Sequence, residues 1–165
     1  DFARSGEIAL NESPTRCNLS ELIGGVRSRV AEKYAGDPIE WTGTGDVPSV
    51  EIVSYPQALR QVLLNLLFNA VDSCYENNLP IRIGVTVTEN PGSLEIRVID
   101  KGPGIDERTQ RKLFEPFETT RQNGSGLGLY VSRKIVSAMG GTIMLESKVG
   151  EGTVVTISLP MKQER

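Results

Sequence analysis

The sequence predicts an α+β fold, a layered sandwich of helices and antiparallel hairpins rather than a doubly wound parallel sheet. Two observations carry this. Helical periods and strand pairs occupy separate runs of the chain instead of alternating strictly. The two clearest strand pairs, Ile81–Thr88 with Leu94–Asp100 and Thr142–Ser147 with Thr153–Leu159, are joined by Asn90-Pro91-Gly92-Ser93 and Gly150-Glu151-Gly152, turns short enough to make hairpins. With 165 residues, 38% of them hydrophobic and 24% charged, the chain is one soluble globular domain with a full core.

The elements follow in order. Residues 1–17 show weak periodicity around Gly6 and Pro14, and read as a linker or the tail of a preceding element; the domain proper is expected over 18–161. From Leu19, the apolar positions Leu22, Ile23, Val26 and Val30 keep a helical period. Asn18 or Ser20 is available as N-cap, and Gly36-Asp37-Pro38 stops the helix. Ile39–Thr42 and Val50–Val53 are short strands. A second helix begins at Ser54, with Pro56 in its first turn and Gln57 completing a capping box. It runs to about Glu76. After the first hairpin come Gly102-Pro103-Gly104, a short helical piece near Glu107–Phe114 and an irregular loop over 115–123. A last helix starts near Leu127 and ends at the C-cap Gly140-Gly141.

Composition excludes several function classes. A net charge of −3 with both signs dispersed argues against a nucleic-acid partner. No apolar run is long enough to span a bilayer and no signal peptide is legible, so a cytoplasmic setting is expected, with an inner-membrane anchor elsewhere in a longer protein left open. Cys17 and Cys74 form no metal or redox spacing. Histidine is absent, which removes a histidine base, nucleophile pair or metal ligand from this chain.

Five stretches carry chemistry. Gly124-Ser125-Gly126-Leu127-Gly128-Leu129 leads into a helix. Unblocked amides before a helix N-terminus suit an anionic group, phosphate above all, while the plainer reading is a flexible loop. Asn65 and Asn69 are four apart, on one face of an otherwise greasy helix. An unpaired buried amide costs roughly 1–3 kcal/mol, so that face is either a solvated stripe or turned to a ligand or hydrated cation. Asp100 ends a strand before Gly102-Pro103-Gly104-Ile105. Its carboxylate can accept from an amine but repels a carbonyl oxygen, favouring adenine over guanine; otherwise it closes an Asx-type turn. Phe114 and Phe117 flank Pro116 as packing residues before a loop holding Thr119, Thr120 and Arg121. Arg121 is either a solvated cation or a grip on a terminal phosphate. Thr153 is an ordinary strand residue or a hydroxyl reaching back to the carboxylate at Asp100.

The order of these stretches, from Asn65-x-x-x-Asn69 through Asp100-x-Gly102-x-Gly104, Leu113–Phe117 and Gly124–Leu129 to Gly152-Thr153, resembles the boxes of the GHKL, or Bergerat-fold, ATP-binding superfamily. The nearest likeness is the catalytic ATP-binding domain of bacterial sensor histidine kinases. The resemblance implies a mixed β-sheet covered by about three helices. It implies that Asp100 binds the adenine amine, with Gly102, Gly104 and Ile105 beside it, and that Asn69, with Asn65 more weakly, holds Mg²⁺ on the phosphates of ATP, released as ADP. Gly124–Leu129 would wrap the phosphates under a lid containing Phe117, Thr119, Thr120 and Arg121. The catalytic set is then Asn65, Asn69 and Arg121.

An amide at position 65 cannot take a proton as the glutamate of the hydrolysing branches does, so the resemblance implies phosphoryl transfer to histidine. Two departures stand out. Where many sensor kinases have lysine or arginine after the second asparagine, this chain has Asp72-Ser73. The lid between Phe117 and Gly124 is short, as in the nitrogen-regulation type. The histidine acceptor is implied on a dimerising helical hairpin of the same protein, reached in cis or trans, with a response regulator downstream. The chain alone is expected to be monomeric and the whole protein a homodimer. The rival readings are a non-catalytic adenine-nucleotide sensor and a slow ATPase of the superfamily.

Overall fold

The computed structural model describes residues 10–42, 47–115 and 128–161. The elements are β1 (Thr15–Asn18), α1 (Leu19–Lys33), β2 (Ile39–Thr42), β3 (Glu51–Ser54), α2 (Pro56–Glu76), β4 (Ile81–Asn90), β5 (Ser93–Asp100), the single turn α3 (Glu107–Gln110), α4 (Gly128–Ala138), β6 (Thr142–Lys148) and β7 (Gly152–Pro160). The expected α+β class holds. Five strands form a mixed sheet in the order β2-β4-β5-β7-β6, and β1 with β3 makes a separate two-stranded sheet. Among the described residues only the pairing of β2 with β4 is parallel; both predicted hairpins are antiparallel, as drawn from their alternation.

Alternation explains which sheet face is covered. Leu94, Ile96 and Val98 of β5 and Val155, Ile157 and Leu159 of β7 are buried, while the residues between them are half-exposed. They share one core with Leu22, Ile23, Val26 and Val30 of α1, Leu59, Val62, Leu63, Leu66 and Leu67 of α2, and Ile135 and Val136 of α4. Burying a side chain of this size contributes roughly 1.5–3 kcal/mol, so this face fixes how α2 is rotated. Among the described residues no helix is long and apolar enough to cross a membrane.

Two local expectations change. Asn18, not Ser20, caps α1, its Oδ1 accepting from the Glu21 amide at 3.0 Å. The capping box at Ser54 does not form. Ser54 ends β3, paired with Thr15, and α2 starts after Tyr55 with no capping side chain of its own. Its exposed amides are met instead by a carboxylate far away in sequence. Glu12 accepts from the Ala58 N–H at 2.8 Å and from Gln57 at 3.3 Å. A negative charge there also suits the positive end of the helix dipole. The stretch read as a linker or the tail of a preceding element thus contains most of β1, the Glu12 cap and Leu10, which packs against the core.

Replacing Glu12 by alanine is expected to lower the unfolding free energy by about 1 kcal/mol. Urea titration should show the midpoint move with an unchanged slope; an unaltered midpoint would remove the cap from the account.

Candidate functional site

The site lies where β5 leaves the sheet. Asp100 is the last residue of β5 and is flanked by Ile83 of β4 and Thr153 of β7. The chain then turns sharply, and the Gly102 amide donates to Asp100 Oδ1 at 2.9 Å. A side chain at Gly102 would start 2.8 Å from that oxygen and 3.0 Å from Ser73 Oγ of α2. Any β-carbon at Gly102 would displace the Asp100 or Ser73 side chain, and this approach ties the Asp100 turn to α2. Gly104, at φ +76°, lies against the Lys148 carbonyl, with which any β-carbon would collide.

The strand pair β6–β7 clamps this turn. The Gly150 amide donates to the Pro103 carbonyl at 2.8 Å, and the Ile105 amide donates to Ser147 Oγ at 2.8 Å. Gln110 of α3 donates from Nε2 to the carbonyls of Ile105 and Ser147. Ser147 Oγ is 2.7 Å from Thr153 Oγ1 and donates to the Gly152 carbonyl. Thr153 thus meets Asp100 differently from the hydroxyl contact considered from sequence. Its hydroxyl is engaged by Ser147, while its backbone N–H is turned to the Asp100 carboxylate. Ser147 and Gln110 escaped sequence reading because their partners are long-range, 42 residues distant in the case of Ser147 and Ile105.

Burial pushes the Asp100 carboxyl up from 3.8 to about 6, against the opposing pull of the Gly102 and Thr153 amides and the Lys101 charge. The carboxylate is half-buried and ringed by donors that hold its orientation.

On α2, Asn65 and Asn69 are both half-buried and share one face. The first carbon of a side chain at Gly128 would lie 3.3 Å from Asn69 Nδ2, so Asn69 faces the beginning of α4. Leu129 packs against the core. Asp100 and Gly102 at Ser73, and Gly128 at Asn69, are thereby brought to the C-terminal half of α2. Phe117, Thr119, Thr120, Arg121, Gly124, Ser125, Gly126 and Leu127 lie outside the described residues. Phe114 is half-buried, with Arg133 of α4 5.7 Å from its ring.

Two neutral amide oxygens one turn apart are a weak donor set for a hard cation, and the described residues hold no cluster of three or more carboxylate, thiol or imidazole groups. They fit a divalent ion that brings its own oxygen ligands.

A mixed sheet of this order packed against helices, with a half-buried aspartate, a glycine turn against α2 and Asn69 facing Gly128, is the arrangement of the nucleotide-binding domain class found in histidine kinases. The family described as "Histidine kinase-, DNA gyrase B-, and HSP90-like ATPase" matches residues 54–163, and the chain belongs to it. It is 34% identical over 148 residues to Sensor histidine kinase ZraS of Escherichia coli (strain K12), covering 90% of this chain and 31% of that protein. The fold matches full-length ShkA in complex with AMPPNP at a TM-score of 0.80 and 27% identity, over 99% of this chain and 34% of that one. It matches a nucleotide-free catalytic domain of histidine kinase ThkA at 0.77 and 30% identity, over 91% of this chain and 97% of that one. The chain spans less than a third of the length of the curated relatives it matches.

Because Asp100 titrates higher folded than unfolded, the folded state binds the extra proton between the two values. The stability this contributes is lost as pH rises from about 4 to about 6, by at most about 1.4 kcal/mol per pH unit. Asp100→Asn lacks this slope. Urea unfolding across this range should show the variant gaining on the wild type up to about pH 6 and running parallel above it; parallel curves throughout would contradict the burial of this carboxyl.

Proposed function

We propose that this chain is the ATP-binding catalytic domain of a sensor histidine kinase, which transfers the γ-phosphoryl group of Mg-ATP to a histidine on a separate dimerisation hairpin. Relay to a response-regulator aspartate follows in this reading, and the catalytic unit read from sequence as residues 18–161 also takes in β1 and Glu12. The observation that carries the proposal is the Asp100 carboxylate, oriented by the Gly102 and Thr153 amides and set beside the α2 face on which Asn69 meets Gly128.

In this reading the ionised Asp100 accepts a hydrogen bond from the adenine amine. The backbone of Gly102, Gly104 and Ile105, clamped by Ser147 and Gln110, gives the base a rigid wall. The phosphates then cross the asparagine face. Asn69, with Asn65 one turn away, would hold Mg²⁺, which would supply the charge that neutralises the phosphates. Gly128 and Leu129 continue the glycine-rich segment that the family resemblance assigns to the phosphates, together with Arg121, Thr119 and Thr120.

At the reacting end, a neutral imidazole nitrogen attacks the γ-phosphorus. The nitrogen–phosphorus bond forms as the bond to the bridging oxygen breaks and ADP leaves. Position 65 is an amide, so it offers no proton acceptor to activate water. The protein's part is positioning and charge neutralisation. Family membership and the kinase names of the relatives support this reading.

The test supplies a histidine-bearing hairpin in trans with labelled ATP. Label on the hairpin, with little phosphate released in its absence, is expected. Binding without transfer would identify a nucleotide-sensing module, and rapid phosphate release without the hairpin would identify an ATPase. Asp100→Asn should weaken ADP binding roughly 10- to 100-fold, the loss of one charge-assisted hydrogen bond, without a matching loss of fold. Chelating divalent cations should weaken ATP binding far more than adenosine binding; equal effects would detach the asparagines from a metal role.

A further inference from the structure

Helical geometry orders the polar face of α2. At about 100° per residue, the positions met in turn around the helix are Phe68, Asp72, Asn65, Asn69 and Ser73. Ser73 lies against Gly102 and Asn69 against Gly128. The opposite flank is closed by the end of α1. Tyr34, the residue after α1, donates its hydroxyl to Asp72 Oδ1 at 2.9 Å. Its ring meets Phe68 edge-on, with centroids 6.2 Å apart. Above both rings stands Lys33, its Nζ 4.1 Å from the Phe68 centroid and 5.5 Å from that of Tyr34.

This flank presents a charge problem. In the proposed binding mode, a nucleotide with its base at Asp100 carries its phosphates away from Gly102 and across Asn69 and Asn65, on the side of α2 that Asp72 and Phe68 border. A carboxylate bordering that path repels a polyphosphate. Lys33 is a cation fixed on the same flank. The side chain is exposed at its tip, yet two aromatic faces hold it, and such contacts contribute roughly 0.5–1 kcal/mol at exposed sites. The Tyr34 hydroxyl meanwhile draws the Asp72 carboxylate toward α1.

We propose that Lys33, standing on Phe68 and Tyr34 at the end of α1, binds the terminal phosphate of the nucleotide. The proposal rests on the nucleotide site argued above and adds to it a residue from a different helix. α1 then takes part in the site as well as in the core. The contact depends on how many phosphates the ligand carries: ATP reaches the flank, ADP less fully, and adenosine not at all.

The experiment is calorimetric titration of adenosine, ADP and ATP, each with Mg²⁺, into the wild type, Lys33→Met and Lys33→Arg. Far-ultraviolet circular dichroism and urea midpoints establish that the variants fold. Lys33→Met is expected to weaken ATP about tenfold and ADP less, while leaving adenosine unchanged. Lys33→Arg should keep most of the affinity for ATP. Unchanged ATP binding in Lys33→Met, an equal loss for adenosine and ATP, or an equal loss in both variants would each overturn the proposal while leaving the nucleotide site in place. If the wild type binds none of the three ligands, the site reading itself fails and this inference falls with it.

Discussion

Helix α2 is rotated by its apolar side, and most of the molecule follows from that rotation. Leu59, Val62, Leu63, Leu66, Leu67, Ala70, Val71 and Cys74 are buried, which leaves the opposite side of the helix for polar groups. Asn65, Asn69 and Asp72 fall on it because the helical period leaves them nowhere else to go. The core energy that holds α2 on β4 and β5 is therefore the same energy that presents Ser73 to Gly102, Asn69 to Gly128 and Asp72 to Tyr34. Polar residues placed this way cost little rotational freedom on meeting a ligand, since the backbone bearing them is fixed by packing.

The second fixed point is the end of β5. A carboxylate raised to about 6 by burial is an unfavourable thing to build, and the fold spends several hydrogen bonds around it. Ser147, Thr153 and Gln110 tie the turn after Asp100 to β6 and β7. Such a network makes the carboxylate orientation a property of the sheet rather than of a loop. Cys74 lies buried behind it, its thiol pushed up chiefly by desolvation, and behaves as a packing residue.

Local periodicity made much of this legible. The hairpins β4–β5 and β6–β7 could be read from alternation, and α2 and α4 from the 3.6-residue period, because each depends on residues close in sequence. β1 could not. Thr15–Asn18 is a strand only because Glu51–Ser54 lies beside it, and Pro14 nearby suggested otherwise. Ser54 misled for the converse reason: a local capping signal lost to a strand pairing, and the cap came from Glu12, 46 residues from its partner Ala58. In the site, Asp100, Asn65 and Asn69 were conspicuous as polar residues ending or interrupting apolar runs. Ser147, Gln110 and Lys33 were silent, since a serine in a strand or a lysine ending a helix is ordinary until its long-range neighbour is known.

The central claim is that the ionised Asp100 carboxylate is the acceptor for an adenine amine. Carbon-13 detection of the Asp100 carboxyl across pH, without ligand and with saturating adenosine, tests it with no phosphate titration to interfere. The account expects a midpoint near 6 in the free protein and a clear downward displacement with adenosine, because a donated hydrogen bond favours the charged form. A midpoint that stays put or rises with adenosine bound would contradict it.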